Sequence, residues 1–223
     1  MNRYIALVLG SAILASGSAS AADNVTSQED IASAIEVAFG VTATTRYISR
    51  GVAQSTGPAI QGYIEPSYGI FYAGVWASNV DLGTSDRAEI DLYAGIRPQF
   101  GDLSLDLGYA HYFYDKTGSC CGEWYAKAEY AFTEEFAAGG EIYYDHENDA
   151  KYGVLKASLA LPHDFSVSGA YGTYFDNTND WNVGISYTLQ EKITLDARYH
   201  DSNQGPAYFI ASISFDSSFR LGR

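Results

Sequence analysis

The chain of 223 residues carries 27 Asp and Glu against 13 Lys and Arg, a formal net charge of −14. Because phosphate backbones are bound by basic surfaces, this acidity excludes nucleic acid as a partner. The 19 Tyr and 11 Phe, with 22 Gly and only 5 Pro, are typical of a single all-β domain.

Residues 1–21 have the layout of a secretory signal peptide. Arg3 precedes an apolar run from Tyr4 to Leu14, and small residues follow up to Ala21, after which we predict cleavage. The run is shorter than the ~20 residues of a membrane-spanning helix, so a membrane anchor is the weaker alternative. Residues 22–34 are polar, and we expect them to form a periplasmic segment rather than a plug.

From residue 35 onward, apolar and polar residues alternate with the period of two that gives a β-strand two unlike faces. The pattern is clearest in residues 86–115, where two such runs flank a break and predict a hairpin. In residues 70–80 the pattern does not decide which face is the apolar one, because Tyr72 and Trp76 on one face compete with Phe71, Ala73 and Val75 on the other. Twelve strands are predicted, at residues 35–50, 59–67, 70–80, 88–97, 103–114, 123–132, 135–145, 151–161, 165–175, 181–189, 193–201 and 207–215.

The charged face of the hairpin decides which side is the interior. Glu89, Asp91, Arg97 and Asp106 lie on the polar faces of its two strands, and a water-soluble sandwich would not turn ionised groups into its core. The apolar faces are long enough to cover the hydrocarbon of a bilayer, since a transmembrane strand needs roughly 9 to 11 residues. The pattern therefore predicts hydrocarbon outside and polar side chains inside.

The connections and the aromatic residues favour the same reading. Connections after even-numbered strands are short, and those after odd-numbered strands are mostly longer and rich in Asp, Asn, Ser and Gly. Outer-membrane barrels sort their periplasmic turns and outer loops in this way. Aromatic residues crowd at the strand ends, as in interfacial girdles: Tyr47, Phe113, Trp124, Tyr144, Phe175, Trp181 and Tyr199 near the longer loops, and Phe39, Phe71, Phe100, Phe132, Phe136, Phe165, Tyr187 and Phe215 near the short turns.

These patterns predict an all-β fold, a transmembrane up-and-down antiparallel β-barrel of about 12 strands over residues 35–215, with a C-terminal extension at residues 216–223. The predicted location is the bacterial outer membrane, with outer-membrane lipid and the outer-membrane insertion machinery as partners. A soluble, lipocalin-like barrel is the alternative. The oligomeric state is left open.

Charged residues on the predicted inner faces would line the lumen. They comprise nine acids and six bases, and with the Asp-rich loops this excess predicts a mild preference for cations. Twelve strands lie between a filled barrel and an open pore, so a narrow or partly occluded channel is expected. The predicted lumen-lining residues are Glu36, Arg46, Arg50, Glu65, Glu89, Asp91, Arg97, Asp106, Lys127, Glu129, Glu141, Asp145, Lys156, Asp196 and Arg198.

The remaining reactive residues give weak signals. Cys120 and Cys121 are adjacent in a predicted loop, and a vicinal disulfide, two free thiols or contacts to another chain are the options. His200 beside Asp201 and Ser202 suggests a hydrolase on the barrel rim, but nothing marks a nucleophile. The four histidines are scattered and form no metal or protease motif. We predict no catalytic residue, cofactor or metal.

Two stretches resemble the TorF family of porins from proteobacterial outer membranes. They are residues 45–55 (TRYISRGVAQS), leading into residues 58–62 (PAIQG), and residues 69–80 (GIFYAGVWASNV), followed by residues 89–95 (EIDLYAG). The chain has Ser49 where the family is expected to carry an aromatic residue. The resemblance implies an outer-membrane barrel with a pore function, and it carries over no catalytic or substrate-binding residue.

The sequence therefore predicts a passive outer-membrane channel for ions or small solutes, without enzymatic chemistry. A structural or adhesive barrel with a closed lumen and partner-binding loops is the alternative. The rim hydrolase is the third and weakest candidate.

Overall fold

The computed structural model describes residues 34–222, which form a closed barrel of twelve long antiparallel strands. Each long strand pairs with its neighbours in sequence, and β1 pairs with β15 to close the wall. The strands are β1 (Ile35–Thr44), β2 (Ile48–Ser49), β3 (Val52–Ala53), β4 (Ala59–Tyr68), β5 (Phe71–Asn79), β6 (Ala88–Ile96), β7 (Gln99–Phe100), β8 (Leu103–Tyr114), β9 (Gly118–Ala131), β10 (Phe136–Asp145), β11 (Ala150–Leu161), β12 (Phe165–Thr173), β13 (Asn179–Leu189), β14 (Ile193–Ser202) and β15 (Tyr208–Leu221).

Three of these strands are only two residues long. β2 and β3 pair with each other apart from the wall, and β7 extends the hairpin of β6 and β8. The predicted twelve-strand, up-and-down antiparallel barrel is confirmed. Within residues 34–222 no helix is long and apolar enough to cross a membrane.

The wall turns its apolar side chains outward and its ionised ones inward. On β6, Leu92 is 46% exposed, whereas Glu89 and Asp91 are 0% and 4% exposed. On β5, Tyr72 and Trp76 point inward and Phe71 and Val75 outward, which settles the ambiguous facing. An apolar exterior of this kind is unfavourable in water and favourable in hydrocarbon, so the fold is that of a transmembrane barrel.

Several predicted boundaries differ from the observed ones. β1 ends at Thr44 instead of running to Arg50, and β9 begins at Gly118, inside the predicted cysteine loop. β15 continues to Leu221, so most of the predicted C-terminal extension pairs with β1 as part of the wall. The predicted signal peptide and residues 22–33 lie outside the described residues.

The predicted sorting of connections is only partly correct. Residues 45–58 and 80–87 are long connections at one end of the barrel, here termed the long-loop rim; the opposite end is the short-turn rim. The other connections at the long-loop rim, such as residues 115–117, are as short as those opposite. Most predicted girdle residues lie at the outer surface, but Tyr47 does not, because it is buried inside the barrel.

Asp86 ties the loop at residues 80–87 to the β8–β9 turn. Its carboxylate accepts hydrogen bonds from the amides of Thr117 at 2.9 Å and Lys116 at 3.1 Å, and from the hydroxyls of Thr117 and Thr84. These donors, the Thr117 hydroxyl foremost, lower the pKa of Asp86 to about 2.

Because the pKa of Asp86 lies below its unfolded value of about 3.9, this contact contributes stability above that pH and loses it as the pH falls through about 2. Carbon NMR of the Asp86 carboxyl group should give a titration midpoint near 2. In Thr117→Val the midpoint should rise. A midpoint near 4 in the unaltered protein would show that the hydrogen bonds are not formed.

Candidate functional site

Residues 45–58, which connect β1 to β4, fold into the barrel instead of standing above its rim; we term them the inward segment. Gln54 is 1% exposed, and its backbone carbonyl accepts a hydrogen bond from the backbone amide of Asp81 at 2.8 Å. At the tip, the carbonyl of Gly51 accepts one from the hydroxyl of Ser202 at 2.9 Å. The segment therefore crosses the lumen from the side of β5 to that of β14.

Arg50 and Gly51 form the turn at the tip, between β2 and β3. Their φ angles are 47° and 76°, and two successive positive φ values are the pattern of the tightest hairpin turns. Glycine adopts this conformation freely. A Cβ on Gly51 would lie 2.5 Å from the Cβ of Ser202, so no larger residue fits there. The turn places the Arg50 side chain against the wall formed by β9 to β11.

Arg50 forms a buried ion pair with Glu123 on β9. Nη1 donates to Oε1 at 2.8 Å and Nη2 to Oε2 at 2.7 Å, and both side chains are 1% exposed. The hydroxyl of Tyr112 on β8 also donates to Oε2 of Glu123, at 2.8 Å. Two parallel charge-assisted hydrogen bonds match the planar fork of a guanidinium and fix its orientation.

Tyrosine rings complete the surroundings of the guanidinium. The ring centroids of Tyr152, Tyr143 and Tyr174 lie 4.5, 4.9 and 5.8 Å from its Cζ, within the range of cation–π attraction. We term these residues the Arg50 cage: Tyr112, Glu123, Tyr143 and Tyr152 on the wall, with Tyr174 in the connection between β12 and β13.

Carboxyl groups outnumber bases at this level of the lumen. Glu89, Asp91, Asp145 and Asp180 are all less than a tenth exposed, as is Glu123, while Arg50 is the only buried Lys or Arg among residues 34–222.

Two of these carboxyl groups are engaged with nearby donors. Asp145 accepts hydrogen bonds from the amides of Glu147 and Asn148 in the turn that follows it. Asp180 accepts one from the hydroxyl of Tyr152 at 2.8 Å.

Glu89 and Asp91 are less well satisfied. Oε2 of Glu89 and Oδ1 of Asp91 have no hydrogen-bond partner among the described residues, and the same holds for the hydroxyls of Tyr47 and Tyr93. Tyr114 reaches the other oxygen of Glu89 at 3.4 Å. Tyr47 of the inward segment interacts electrostatically with both Glu89 and Asp91, so the segment lies against two poorly compensated carboxyl groups.

Charges nearer the short-turn rim are paired. Arg97 bridges Glu65 and Asp106, and it lies over the ring of Tyr72 at 3.7 Å. Lys156 pairs with Glu129 at 3.2 Å and Glu141 at 3.1 Å on neighbouring strands, and Arg198 pairs with Asp196 at 3.0 Å on its own strand. The two halves of the lumen thus differ, with an excess of acid toward the long-loop rim.

The predicted lumen-lining residues therefore fall into separate groups. The structure brings Arg50, Glu89, Asp91 and Asp145 to the acidic level and places nine others in or beside the paired charges: Glu65, Arg97, Asp106, Lys127, Glu129, Glu141, Lys156, Asp196 and Arg198. That they line a water-filled path stays a prediction.

Two of the predicted lumen-lining residues lie apart from both groups. Glu36 lies 3.6 Å from Arg220 near the short-turn rim. Arg46 donates to the carbonyl of Thr56 at 2.7 Å within the inward segment and lies over the ring of Tyr208.

None of the Arg50 cage residues was predicted from the sequence to line the lumen. Glu123 lies at the predicted start of a strand, on the same face as Tyr125 and Lys127. This alternation could have placed it in the lumen. Nothing in the sequence shows that Arg50 reaches Glu123, because the two are 73 positions apart and meet only through the inward fold.

Cys120 and Cys121 form a disulfide between neighbouring residues. Their predicted position in a loop is wrong: pairing of β8 with β9 continues past them, with an irregularity between Tyr112 and Phe113. Cys121 is completely buried and packs with Tyr112 and Ala110.

The hydrolase constellation does not form. Asp201 lies opposite the outward-facing Trp181, whereas His200 and Ser202 face inward. The hydroxyl of Ser202 donates to Gly51 in the inward segment. Within the described part of the chain, no group of three or more His, Cys, Asp or Glu is placed to hold a metal ion.

A closed antiparallel barrel with an apolar exterior and a charged interior defines a transmembrane β-barrel of the outer-membrane type. Residues 28–219 match the family described as "Bacterial protein of unknown function (Gcw_chp)", and the chain belongs to that family. No curated protein is similar to it in sequence. The likeness to the TorF family stays a resemblance.

Solved porin structures share the fold. A KdgM porin matches with a TM-score of 0.62 and 9% identity, over 82% of this chain and 99% of that chain. A NanC porin matches with a TM-score of 0.55 and 13% identity, over 82% and 100%. A KdgM porin in complex with disordered oligogalacturonate gives 0.55 and 7%, over 84% and 99%. At these low sequence identities the similarity shows a shared fold alone.

Proposed function

We propose that the protein is an outer-membrane channel for passive diffusion of ions or small solutes, exported through its N-terminal signal peptide. The observation that carries the proposal is the inversion of polarity, with ionised side chains inside an apolar, closed wall. Hydrocarbon can surround such a wall, and only water, solutes and polar side chains suit its interior. Outer-membrane lipid and the insertion machinery are then its partners.

The acid excess near the long-loop rim supports a mild preference for cations. Among the described residues neither Glu89 nor Asp91 has a paired base, and a mouth of one charge sign attracts ions of the other. This charge also argues against anionic solutes such as the oligogalacturonate named with one KdgM porin.

In planar bilayers with a salt gradient, the reversal potential should have the sign of cation selectivity. The double substitution Glu89→Gln and Asp91→Asn should move that potential toward zero, because it removes two negative charges from the acid-rich half. Replacing Glu36, which lies apart from that level, provides the matched control. Anion selectivity in the unaltered protein would contradict the proposal.

The inward segment favours a second candidate, a barrel whose lumen is closed and whose loops bind an outside partner. The segment crosses the lumen and is held by a buried ion pair. If neither the unaltered barrel nor variants without this ion pair conduct ions, the second candidate replaces the first.

A further inference from the structure

The Arg50 cage has the character of a ligand site that already holds a cationic group. We propose that it is a binding site for guanidinium-bearing organic cations, and that Arg50 on the inward segment is a built-in competitor for it. The cage would become free when the segment withdraws from the lumen. Its role in selecting solutes rests on the proposed channel function, whereas binding can be tested without it.

Four of the five cage residues belong to the wall and none belongs to the inward segment, so the cage does not depend on that segment for its shape. Glu123 and Tyr143 lie on β9 and β10, Tyr112 on β8 and Tyr152 on β11. Wall contacts orient these rings. Their hydroxyls donate to carboxylates: Tyr112 to Glu123 at 2.8 Å, Tyr143 to Glu141 at 2.6 Å and Tyr152 to Asp180 at 2.8 Å.

The chemistry of the cage suits a guanidinium better than an ammonium. Both oxygens of Glu123 accept hydrogen bonds from separate nitrogens of one planar group, at 2.8 and 2.7 Å. A guanidinium presents such a fork, whereas an ammonium is a compact point charge. Tyr143 and Tyr152 lie within 5 Å of the guanidinium carbon, where weakly hydrated planar cations interact favourably with aromatic rings.

Charge favours a replacement cation once Arg50 has left. Arg50 is the only buried base among the described residues, and Glu89, Asp91, Glu123 and Asp180 surround this level. Without it these carboxyl groups have no buried counter-charge, and an organic cation would restore it.

The closed position of the inward segment is not favourable at every contact. Its Tyr47 hydroxyl is buried and makes no hydrogen bond within residues 34–222, and the same holds for one oxygen each of Glu89 and Asp91 nearby. Buried polar groups left unpaired oppose the closed arrangement. The Arg50–Glu123 pair offsets this cost, so losing that pair is expected to release the segment and expose the cage.

The test is binding of methylguanidinium to the detergent-solubilised Arg50→Ala barrel, followed by thermal melting. Millimolar methylguanidinium should raise the melting temperature of Arg50→Ala and leave that of the unaltered protein unchanged. Potassium chloride and methylammonium at the same concentration should have little effect. Adding Glu123→Gln to Arg50→Ala should weaken the binding by about tenfold or more, because the charged partner of the fork is lost.

Two results would overturn the inference: no stabilisation of Arg50→Ala by methylguanidinium, or equal stabilisation by methylammonium. If Arg50→Ala does not fold, Arg50→Gln serves instead, since its side chain still fills the turn without presenting a charge. Absence of conductance in every variant would contradict the proposed channel function. The binding measurement would then still test the cage as a guanidinium site.

Discussion

Arg50→Ala is expected to lower the free energy of unfolding by about 3–5 kcal/mol. The substitution removes the guanidinium that engages both oxygens of Glu123, whose side chain is 1% exposed when the pair is formed. The ionised carboxylate then either stays out of water with only the hydrogen bond from Tyr112, or regains water only when the inward segment leaves its place; both outcomes cost free energy. Urea unfolding of the barrel folded into lipid vesicles, followed by the folded band on a gel, measures the change.

Two further variants show whether the loss belongs to the ion pair. Combining Arg50→Ala with Glu123→Gln should lose less than the single substitution, because the unpaired charge is removed. Arg97→Ala breaks another ion pair, but its side chain is 38% exposed, so we expect a loss nearer to 1 kcal/mol. Equal losses in Arg50→Ala and Arg97→Ala would show that the Arg50–Glu123 pair is hydrated.

Ile185→Arg should destabilise the barrel by about 2–4 kcal/mol when it is folded in lipid. Ile185 is 46% exposed on the outer face of β13, where Val167 and Ala197 are its partners on the adjacent strands. A charge there would enter hydrocarbon.

Ser186→Arg provides the control one position along the same strand. Its hydroxyl donates to Asp196 at 2.7 Å inside the barrel, so an added base would face a carboxylate. We expect a much smaller change, measured by the same urea titration. A larger loss in Ser186→Arg than in Ile185→Arg would show that the polar face of the wall, and not the apolar face, is in contact with lipid.

The barrel wall could be predicted from sequence because its physics is periodic. Alternation places Leu92 outside and Glu89 and Asp91 inside with no knowledge of neighbouring strands. The facing of β5 could not be predicted, because aromatic residues occur on both of its faces. Tyr72 is held inward by hydrogen bonds to Asp106 and, at 2.6 Å, to the hydroxyl of Tyr125.

The inward segment escaped prediction for a different reason. The alternation of β1 continues through Tyr47, and only Ile48 and Ser49 interrupt it before Arg50, so these residues resemble the end of a strand. What removes them from the wall is tertiary: the pair with Glu123 and the close fit of Gly51 against Ser202. The dipeptide Arg50-Gly51 was the available signal, since glycine in such a position suits a tight turn.

The most direct test compares single-channel conductance of the unaltered protein and Arg50→Ala in the same planar bilayer. If a polar lumen is narrowed by the inward segment and Arg50 holds that segment in place, both proteins insert stably and Arg50→Ala conducts more ions. Equal conductance in the two proteins would contradict the role assigned to the segment, and an absence of conductance in both would contradict the channel itself.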